Sequence, residues 1–330
     1  MPDPLALLAL IIAAAILFGI VNGANDAANA IATVIGTRTL SPRAAIIMAT
    51  VCDFAGAATG TAVATTIGKG IIDPKALTIT MVLAGASAIV IWGITATRYG
   101  MPISLTHGLI AGLVGAGLAT GGSEIIVWPV LTRVFSAVAI APLLGLAGGF
   151  CLMLAILWLF RRTAPDTATR TFTGPQVFSA AFMAYSHGKN DGQMPIGLIS
   201  MALMVYHGHG QFYIPFWAVI VSAASISFGT FIGGWRVIRT LGLRVTTLRP
   251  VHGFAAQASA AAIIETASHL GIPVSTTHCI STAIMGVGAT RRLSAVRWGI
   301  ARDIVLVWAL TFPACGILGW LIASILNSAF

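Results

Sequence analysis

Charged side chains are scarce in this sequence. Asp, Glu, Lys and Arg together make up 8% of its 330 residues, while hydrophobic residues make up 57% and the mean hydropathy is +0.94. A typical globular chain is about 25% charged. A water-soluble fold of this length would have too few charges to cover its surface, so the composition excludes both a cytoplasmic enzyme and a disordered chain.

Cysteines are also few, and no two of them form a CxxC pair. Cys52, Cys151, Cys279 and Cys315 are scattered in apolar surroundings, which favours a packing role over a disulfide framework or a zinc site. The net charge of +9 does not indicate a nucleic-acid partner, because the basic residues lie between apolar runs rather than on one face of a folded domain.

What the chain has in abundance is apolar runs of about 20 residues, which are typical of an all-α polytopic membrane protein. The first run lacks the basic start of a signal peptide and carries Asp3 instead, so we predict a retained membrane span. We expect ten membrane segments, at 5–36, 43–68, 76–97, 102–121, 129–160, 175–206, 214–234, 250–271, 273–290 and 303–327. Polar interruptions in the first and sixth, and proline at the start of the short fourth and ninth, predict broken helices or helical hairpins.

The distribution of basic residues predicts an orientation. With the N-terminus outside, fourteen arginines fall in inside loops, and only Lys69, Lys75 and Arg133 fall in outside loops. Basic residues concentrate on the cytoplasmic side of membrane proteins. We therefore place the protein in the cell (inner) membrane with both termini outside.

Two polar motifs recur in the same order along the chain. N-G-A-N-D at 22–26 returns as H-G-K-N-D at 187–191, and P-I-S-L-T-H at 102–107 returns as P-V-S-T-T-H at 273–278. We infer a duplication with repeat 1 at 1–160, a polar cytoplasmic linker at 161–174 and repeat 2 at 175–330. Five segments per repeat would insert the second repeat upside down, which is the plan of secondary transporters with a site near the midplane.

The first motif places an aspartate at bilayer depth in each repeat. Asp26 and Asp191 would each cost at least about 2.5–3.5 kcal/mol to insert, which indicates a functional role. Asn25 and Asn190 precede them. We expect the nearby glycines, Gly23 and Gly188 among them, to mark an unwound break whose free backbone groups coordinate an ion.

The second motif supplies hydroxyl groups. Pro102 and Pro273 suit the first turn of a helix. At such a start, hydroxyls, free amides and the positive end of the helix dipole form a cradle for an oxyanion, although Ser and Thr also serve as plain helix caps. The hydroxyl residues concerned are Ser104, Thr106, Ser275, Thr276 and Thr277. The roles of His107, His187, His278, Lys189 and Glu265 stay open between packing, gating and proton transfer.

The stretches GANDAANAIATVIGT and SHGKNDGQ, each followed by a PxSxTH stretch, resemble the inorganic phosphate transporter (PiT) family over nearly the whole chain. The resemblance implies a phosphate symporter coupled to Na+ or H+, with inverted repeats and a homodimeric assembly. It implies substrate-binding roles for Asn25, Asp26, Ser104, Thr106, Asn190, Asp191, Gln193, Ser275, Thr276 and Thr277. It also implies a coupling-cation site at Asp26, Asp191, Asn25 and Asn190, with no tightly bound cofactor.

The sequence departs from this family at two points. Many bacterial members have Lys after the glutamine of the second motif, whereas Met194 follows Gln193 here, so one cation near the anion is missing. The chain also lacks the long central loop of larger members, so no regulatory role of that loop carries over.

Electrostatics favours coupled transport of the anion. Moving a divalent oxyanion inward against the membrane potential costs roughly 4.6 kcal/mol per 100 mV, and the anion must also approach two carboxylates. Accompanying cations, held at Asp26 and Asp191, would remove both barriers. A carboxylate can accept a hydrogen bond from phosphate but not from sulfate, which favours phosphate. A sulfate permease, a passive anion channel and, least favoured, a membrane-embedded enzyme remain as alternatives.

Overall fold

The computed structural model describes residues 3–208 and 211–329, with the side chains of residues 165, 166 and 168 left aside. The second histidine of the H-G-H-G stretch, His209, lies outside the described residues. Within them the chain forms thirteen α-helices and no strand beyond a single antiparallel bridge between Ile72 and Ile126. The all-α prediction is therefore confirmed.

The helices follow one another with short connections. They are α1 (Pro4–Gly36), α2 (Pro42–Ala57), α3 (Ala62–Gly70), α4 (Ile79–Tyr99), α5 (Leu105–Gly121), α6 (Trp128–Leu159), α7 (Pro165–Asp191), α8 (Gln193–Tyr206), α9 (Phe216–Ile232), α10 (Trp235–Arg239), α11 (Pro250–His269), α12 (Thr276–Ala289) and α13 (Trp298–Ala329). A π-helical turn, Thr240–Arg244, extends α10, and short 3₁₀ turns, Ser123–Ile125 and Leu293–Ala295, precede α6 and α13.

Helix starts and stops follow local chemistry. Proline occupies the first turn of α1, α2, α6, α7 and α11, where a missing amide hydrogen costs nothing. The hydroxyls of Ser41 and Thr78 cap α2 and α4. Gly100, at φ +71°, ends α4 in the left-handed conformation that glycine adopts without strain.

Four helices are long and apolar enough to cross a membrane within the part of the chain described, namely α1, α4, α6 and α13. The number rises to six if two bent pairs count as single spans. These pairs are α2 with α3, bent by 63°, and α9 with α10 and its π turn, bent by 60°. Leu143, Leu157, Val305 and Ile317 on α6 and α13 are exposed, as lipid-facing side chains are. Ten segments remain a prediction.

Two local expectations are wrong. The chain at Gly23 is an unbroken stretch of α1, and α7 continues past Gly188 to Asp191. The sixth predicted segment is nevertheless interrupted, at Gly192 between α7 and α8, and further breaks lie within the bent pairs. Pro102 and Pro273 precede α5 and α12 by three residues in extended backbone, so they are outside the first helical turn. Within the predicted linker 161–174, α7 begins at Pro165.

The order of elements in the first half returns in the second. A bent pair, a single helix and a helix with a serine cap are followed in each half by a 3₁₀ turn and a 32-residue helix with an internal proline, Pro142 or Pro313. The halves also exchange partners, since α5 packs on α13 and α12 packs on α6, while α1 packs on α9 and α7 on α2. Polar side chains of α1, α7 and α12 are buried where the halves meet.

Candidate functional site

Helix α1 presents Asp26 and Asn29 on one buried face, because residues three apart lie side by side on a helix. The helix approaches α9 closely at Gly23, where an added Cβ would lie 1.9 Å from the Ile226 carbonyl oxygen. The glycine of the first motif therefore permits helix packing that places Asp26, rather than an unwound backbone.

Helix α7 brings the second aspartate to the first. His187 and Asp191 are one turn apart on α7 and are both buried. The imidazole Nε2 lies 3.6 Å from Asp191 Oδ2 and 3.8 Å from Asp26 Oδ2. Ligand atoms of Asp26, His187 and Asp191 all lie within 4.8 Å of one another, a spacing at which three side chains can hold one cation.

The start of α12 covers this cluster with two hydroxyls. Thr277 donates to Asp26 Oδ1 at 2.9 Å, and the Thr276 hydroxyl lies 3.2 Å from Asp26 Oδ2 and 3.4 Å from Asp191 Oδ2. Asn29 Nδ2 donates to both threonine hydroxyls, at 3.2 and 3.1 Å. The first motif of one half and the second motif of the other therefore form one polar cluster, with Asp191 completing it.

The two serines of the second motif act as helix caps. Ser104 Oγ accepts from the His107 amide at 3.3 Å, and Ser275 Oγ accepts from the His278 amide at 3.1 Å. Both hydroxyls are thus engaged at the N-termini of α5 and α12, where they satisfy an amide that the helix leaves free. The simpler of the two expectations, helix capping, describes their contacts.

Thr106 and Asn190 meet at one carbonyl. Thr106 Oγ1 donates to the Val274 oxygen at 3.3 Å, and Asn190 Nδ2 donates to the same oxygen at 2.8 Å. Asn190 also donates to Asp191 Oδ1 at 2.5 Å. These bonds tie the extended segment before α12 to α5 and α7, so they fix the position of the Thr276 and Thr277 hydroxyls.

Two of the predicted site residues turn away from the cluster. Asn25 donates to Thr97 Oγ1 at 2.8 Å and to the Met101 carbonyl at 3.3 Å, which joins α1 to α4. Gln193 Oε1 accepts from the amides of Val63 and Ala64, at 2.8 and 3.1 Å, and thereby caps α3. Neither side chain shares a hydrogen bond with Asp26 or Asp191.

Asp53 adds a third carboxylate behind His187. Its Oδ1 lies 2.7 Å from His187 Nδ1, and its Oδ2 accepts from the Thr230 hydroxyl. A carboxylate only accepts, so this contact holds a proton on Nδ1 and, in the neutral ring, leaves Nε2 free toward Asp26 and Asp191. The partner of Asp53 is thus the histidine of the second N-D motif.

The cluster contains more acidic groups than basic ones. Three buried carboxylates, Asp26, Asp53 and Asp191, share one histidine, and no lysine or arginine of the described chain pairs with any of them. Uncompensated charge in a poorly hydrated interior is expensive. The arrangement therefore favours a bound cation, and an anion can approach only once such cations are present.

The remaining candidates lie around the cluster. Lys189 forms an ion pair with Glu265 on α11, so neither is a partner of Asp191. His107 and His278 stack edge to face with ring centroids 4.8 Å apart, and their ring nitrogens have no hydrogen-bond partner among the described residues. All four cysteines are free, and Cys279 and Cys315 are buried, in agreement with the predicted packing role.

Sequence reasoning missed Asn29, Thr230 and the role of Asp53. The signal for Asn29 was available, because it lies three residues after Asp26, just beyond the first motif, and so on the same helix face. No comparable signal exists for Thr230, which reaches Asp53 across 177 residues of sequence. Only the packing of α9 against α2 brings the two together.

Comparisons with known proteins agree over nearly the full length. A sequence profile of the phosphate transporter family matches residues 22–319. A probable low-affinity inorganic phosphate transporter of Rhizobium meliloti is 43% identical over 310 residues, 93% of either chain. A protein of the same description from Bacillus subtilis is 38% identical over 329 residues, 99% of either chain. A solved structure described as "The sodium-dependent phosphate transporter" superposes with a TM-score of 0.89 at 25% identity, covering 98% of this chain and 100% of that one.

Proposed function

The chain belongs to the phosphate transporter family, and on that premise we propose that it imports inorganic phosphate by symport with sodium. Membership confirms the resemblance drawn from the paired motifs and places the chain among membrane transporters. The named relatives are transporters and permeases, so the embedded-enzyme alternative is wrong.

The observation that carries the proposal is the meeting of Asp26 and Asp191 beneath the hydroxyls of Thr276 and Thr277. Carboxylate and hydroxyl oxygens are ligands that a hard cation prefers. The two aspartates come from opposite halves of the chain, so a cation bound between them would tie the halves together. This is how ion binding can be coupled to a movement of one half against the other.

We assign the anion to the side of the cluster where α12 begins. Helix N-termini favour oxyanions through their free amides and dipole. In this arrangement Thr276 and Thr277 contact phosphate, and Ser104 and Ser275 cap the helices. Thr106 and Asn190 position the extended segment that leads into α12. Asn25 and Gln193, assigned to the site by resemblance, contribute by holding α1 and α3 in place.

Sodium is the proposed coupling ion for two reasons. The related solved structure is described as sodium-dependent, and the cluster offers mainly oxygen ligands. The proximity of His187 to both carboxylates makes proton coupling the alternative, because a histidine beside two carboxylates can also carry a proton. The two differ in whether a sodium gradient or a pH gradient drives uptake.

The comparisons support phosphate as the substrate, and none of them supports sulfate. A protonated phosphate can donate to Asp26 or Asp191, whereas sulfate has no proton to donate. A passive anion channel would need no cation gradient, so the dependence of uptake on such a gradient distinguishes a symporter from a channel.

We further propose the ten-segment, inverted-repeat arrangement, with repeats at 1–160 and 175–330 joined at 161–174. The matching order of elements and the exchanged helix partners support it. The excess of arginine in alternate loops supports a location in the inner membrane with both termini outside. A homodimer is proposed from the family resemblance alone, and mass measurement of the detergent-solubilised protein tests it.

Uptake of labelled phosphate into proteoliposomes tests the function. We expect an inward sodium gradient at fixed pH to stimulate uptake, and excess unlabelled sulfate not to block it. Asp26→Asn and Asp191→Asn should each abolish the stimulation. Uptake driven by pH but indifferent to sodium would move the coupling to protons, and uptake without any cation gradient would indicate a channel.

A further inference from the structure

A cavity lined by arginines lies away from the carboxylate cluster, where the ends of α6, α7, α11 and α12 come together. Its volume is about 360 Å³. Arg161 follows α6, Arg249 precedes α11 and Arg291 follows α12, so three separate connections each send one arginine to it. None of the three forms an ion pair with an acidic side chain of the described chain.

The polar end of the cavity suits a phosphate group. Guanidinium groups bind phosphate oxygens through paired, charge-assisted hydrogen bonds. The Thr163 hydroxyl and the first turn of α11 also line it, and a helix N-terminus attracts negative charge. The arginines, the hydroxyl and the helix dipole therefore all favour a phosphate group.

The opposite wall of the cavity is apolar, which a free oxyanion would not use. This wall is formed by Phe160, which directly follows α6, and by three residues of α6, namely Met153, Ile156 and Leu157. Leu157 is exposed on the outer face of α6, so the cavity opens toward the surface that faces lipid. A water molecule occupies about 30 Å³, and the cavity has space for much more than one tetrahedral oxyanion.

A neighbouring aromatic residue places this region at the membrane surface. Trp158 is 66% exposed, and the Arg161 guanidinium lies over its ring at 4.8 Å from the centroid. Exposed tryptophans concentrate at the level of the lipid headgroups. The proposed orientation puts all three arginines on the inner side, where anionic lipids attract clustered basic residues.

We propose that this cavity binds the phosphate group of an anionic phospholipid, with the arginines on the headgroup and an acyl chain along α6. The site is separate from the transport site and does not depend on which ion drives transport. A lipid bound there would connect α6 of the first half to α11 and α12 of the second.

Native mass spectrometry of the full chain in detergent tests the proposal, with phosphatidylglycerol and neutral phosphatidylcholine as probes. We expect preferential retention of phosphatidylglycerol. Arg249→Gln with Arg291→Gln should weaken it by roughly tenfold to thirtyfold, since each surface arginine contributes about 1 kcal/mol to binding anionic lipid. Arg292→Gln, which removes an equal charge from the adjacent position that does not line the cavity, should leave binding unchanged.

Two further measurements keep the outcomes distinct. Gel filtration and phosphate uptake identify variants that have not folded. If the double variant does not fold, the single variant Arg291→Gln replaces it. Equal retention of both lipids, or unchanged retention in folded arginine variants, overturns the proposal. Equilibrium dialysis with labelled inorganic phosphate distinguishes a lipid headgroup from free phosphate. If wild type binds an additional phosphate that the arginine variants do not bind, the ligand of the cavity is inorganic phosphate, and the lipid proposal is overturned.

Discussion

Asn29 holds both threonine hydroxyls of the cluster, and its side chain has no other hydrogen-bond partner in the described chain. Asn29→Ala should release Thr276 and Thr277 to rotate away from Asp26. Loss of two hydrogen bonds at about 1 kcal/mol each predicts a KM for phosphate or sodium raised roughly tenfold or more. Initial rates of uptake at varied phosphate and sodium concentrations measure it.

The control for this prediction lies one turn further along α1. Thr33 is also buried, and its hydroxyl has no partner among the described residues. Thr33→Val should leave both KM values near those of wild type, because it preserves shape and breaks no hydrogen bond. Equal effects of the two substitutions would contradict a specific role of Asn29.

At this scale the sequence predicts the residues that a repeat marks and misses those that only packing brings in. Asp26 and Asp191 stand out because each is a charge within an apolar run and each has a copy in the other half. Asp53 has no such copy, and its partners, His187 and Thr230, lie on helices far away in sequence. The hydroxyl of Ser275 caps a helix, whereas the hydroxyl of Thr277 contacts a carboxylate. The sequence cannot distinguish these two roles before the start of the helix is known.

Helix α7 packs closely against α2 at Gly188, and this close approach limits which residues can replace the glycine. An added Cβ at Gly188 would lie 2.1 Å from the Asp53 carbonyl oxygen on α2, and backbone cannot rotate aside as a side chain can. Gly188→Ala should therefore destabilise the fold by at least about 1–3 kcal/mol, the usual cost of overpacking. Thermal unfolding in detergent measures it.

Gly174 provides the matched control on the same helix. No atom lies within 4 Å of a Cβ added there. Gly174→Ala should leave the unfolding temperature unchanged or raise it, because alanine favours the helix by about 1 kcal/mol over glycine. Equal unfolding temperatures of the Gly188→Ala and Gly174→Ala variants would contradict this prediction. That result would instead support an unwound segment at Gly188, which the continuous helix α7 excludes.

Gln193 was predicted to bind the substrate, but its side chain caps a helix instead. Its Oε1 caps the start of α3, so Gln193→Ala should lower thermal stability by about 1 kcal/mol with little change in KM for phosphate. Gln193→Glu keeps the accepting oxygen but loses the hydrogen bond that Nε2 donates to the Lys189 carbonyl, so it should restore only part of that stability. If both variants instead raise the KM for phosphate by the same factor at unchanged stability, Gln193 contacts the anion.

Apolar runs predict that helices exist, but they do not predict where a helix is continuous. The polar residues of the first motif suggested a break in α1, yet the helix continues through them. Helices α4, α9 and α12 pack around it, and Thr97 and Thr276 accept hydrogen bonds from its Asn25 and Asn29 side chains. The actual bends, after α2 and after α9, follow stretches that look like ordinary apolar segments. Tertiary contacts, which a single sequence does not display, decide between these outcomes.

The arrangement of the whole molecule makes a prediction about sidedness. Ser123 and Leu293 begin the matching 3₁₀ turns before α6 and α13, and both are exposed. Inverted repeats require the two turns to lie on opposite membrane faces. In a transport-active variant without native cysteines, an impermeant maleimide applied outside should label Ser123→Cys in intact cells. It should label Leu293→Cys only after permeabilisation; labelling of both from one side would contradict inversion.

At the level of the whole molecule the sequence is most informative, because both polar motifs occur twice, in the same order and at similar spacing. It indicates the all-α class and two halves of similar design. It does not indicate that the halves exchange partners, with α5 on α13 and α12 on α6. That exchange places Thr277 of the second half against Asp26 of the first, which no pattern within either half specifies.

The central claim is that Asp26 and Asp191 form one sodium site shared by the two halves. Sodium-dependent binding of labelled phosphate to the purified protein, compared among wild type, Asp26→Asn and Asp191→Asn, tests it most directly. We predict that sodium raises the affinity of wild type for phosphate and that either single substitution removes this effect. Sodium enhancement that persists undiminished in either variant would contradict a shared site.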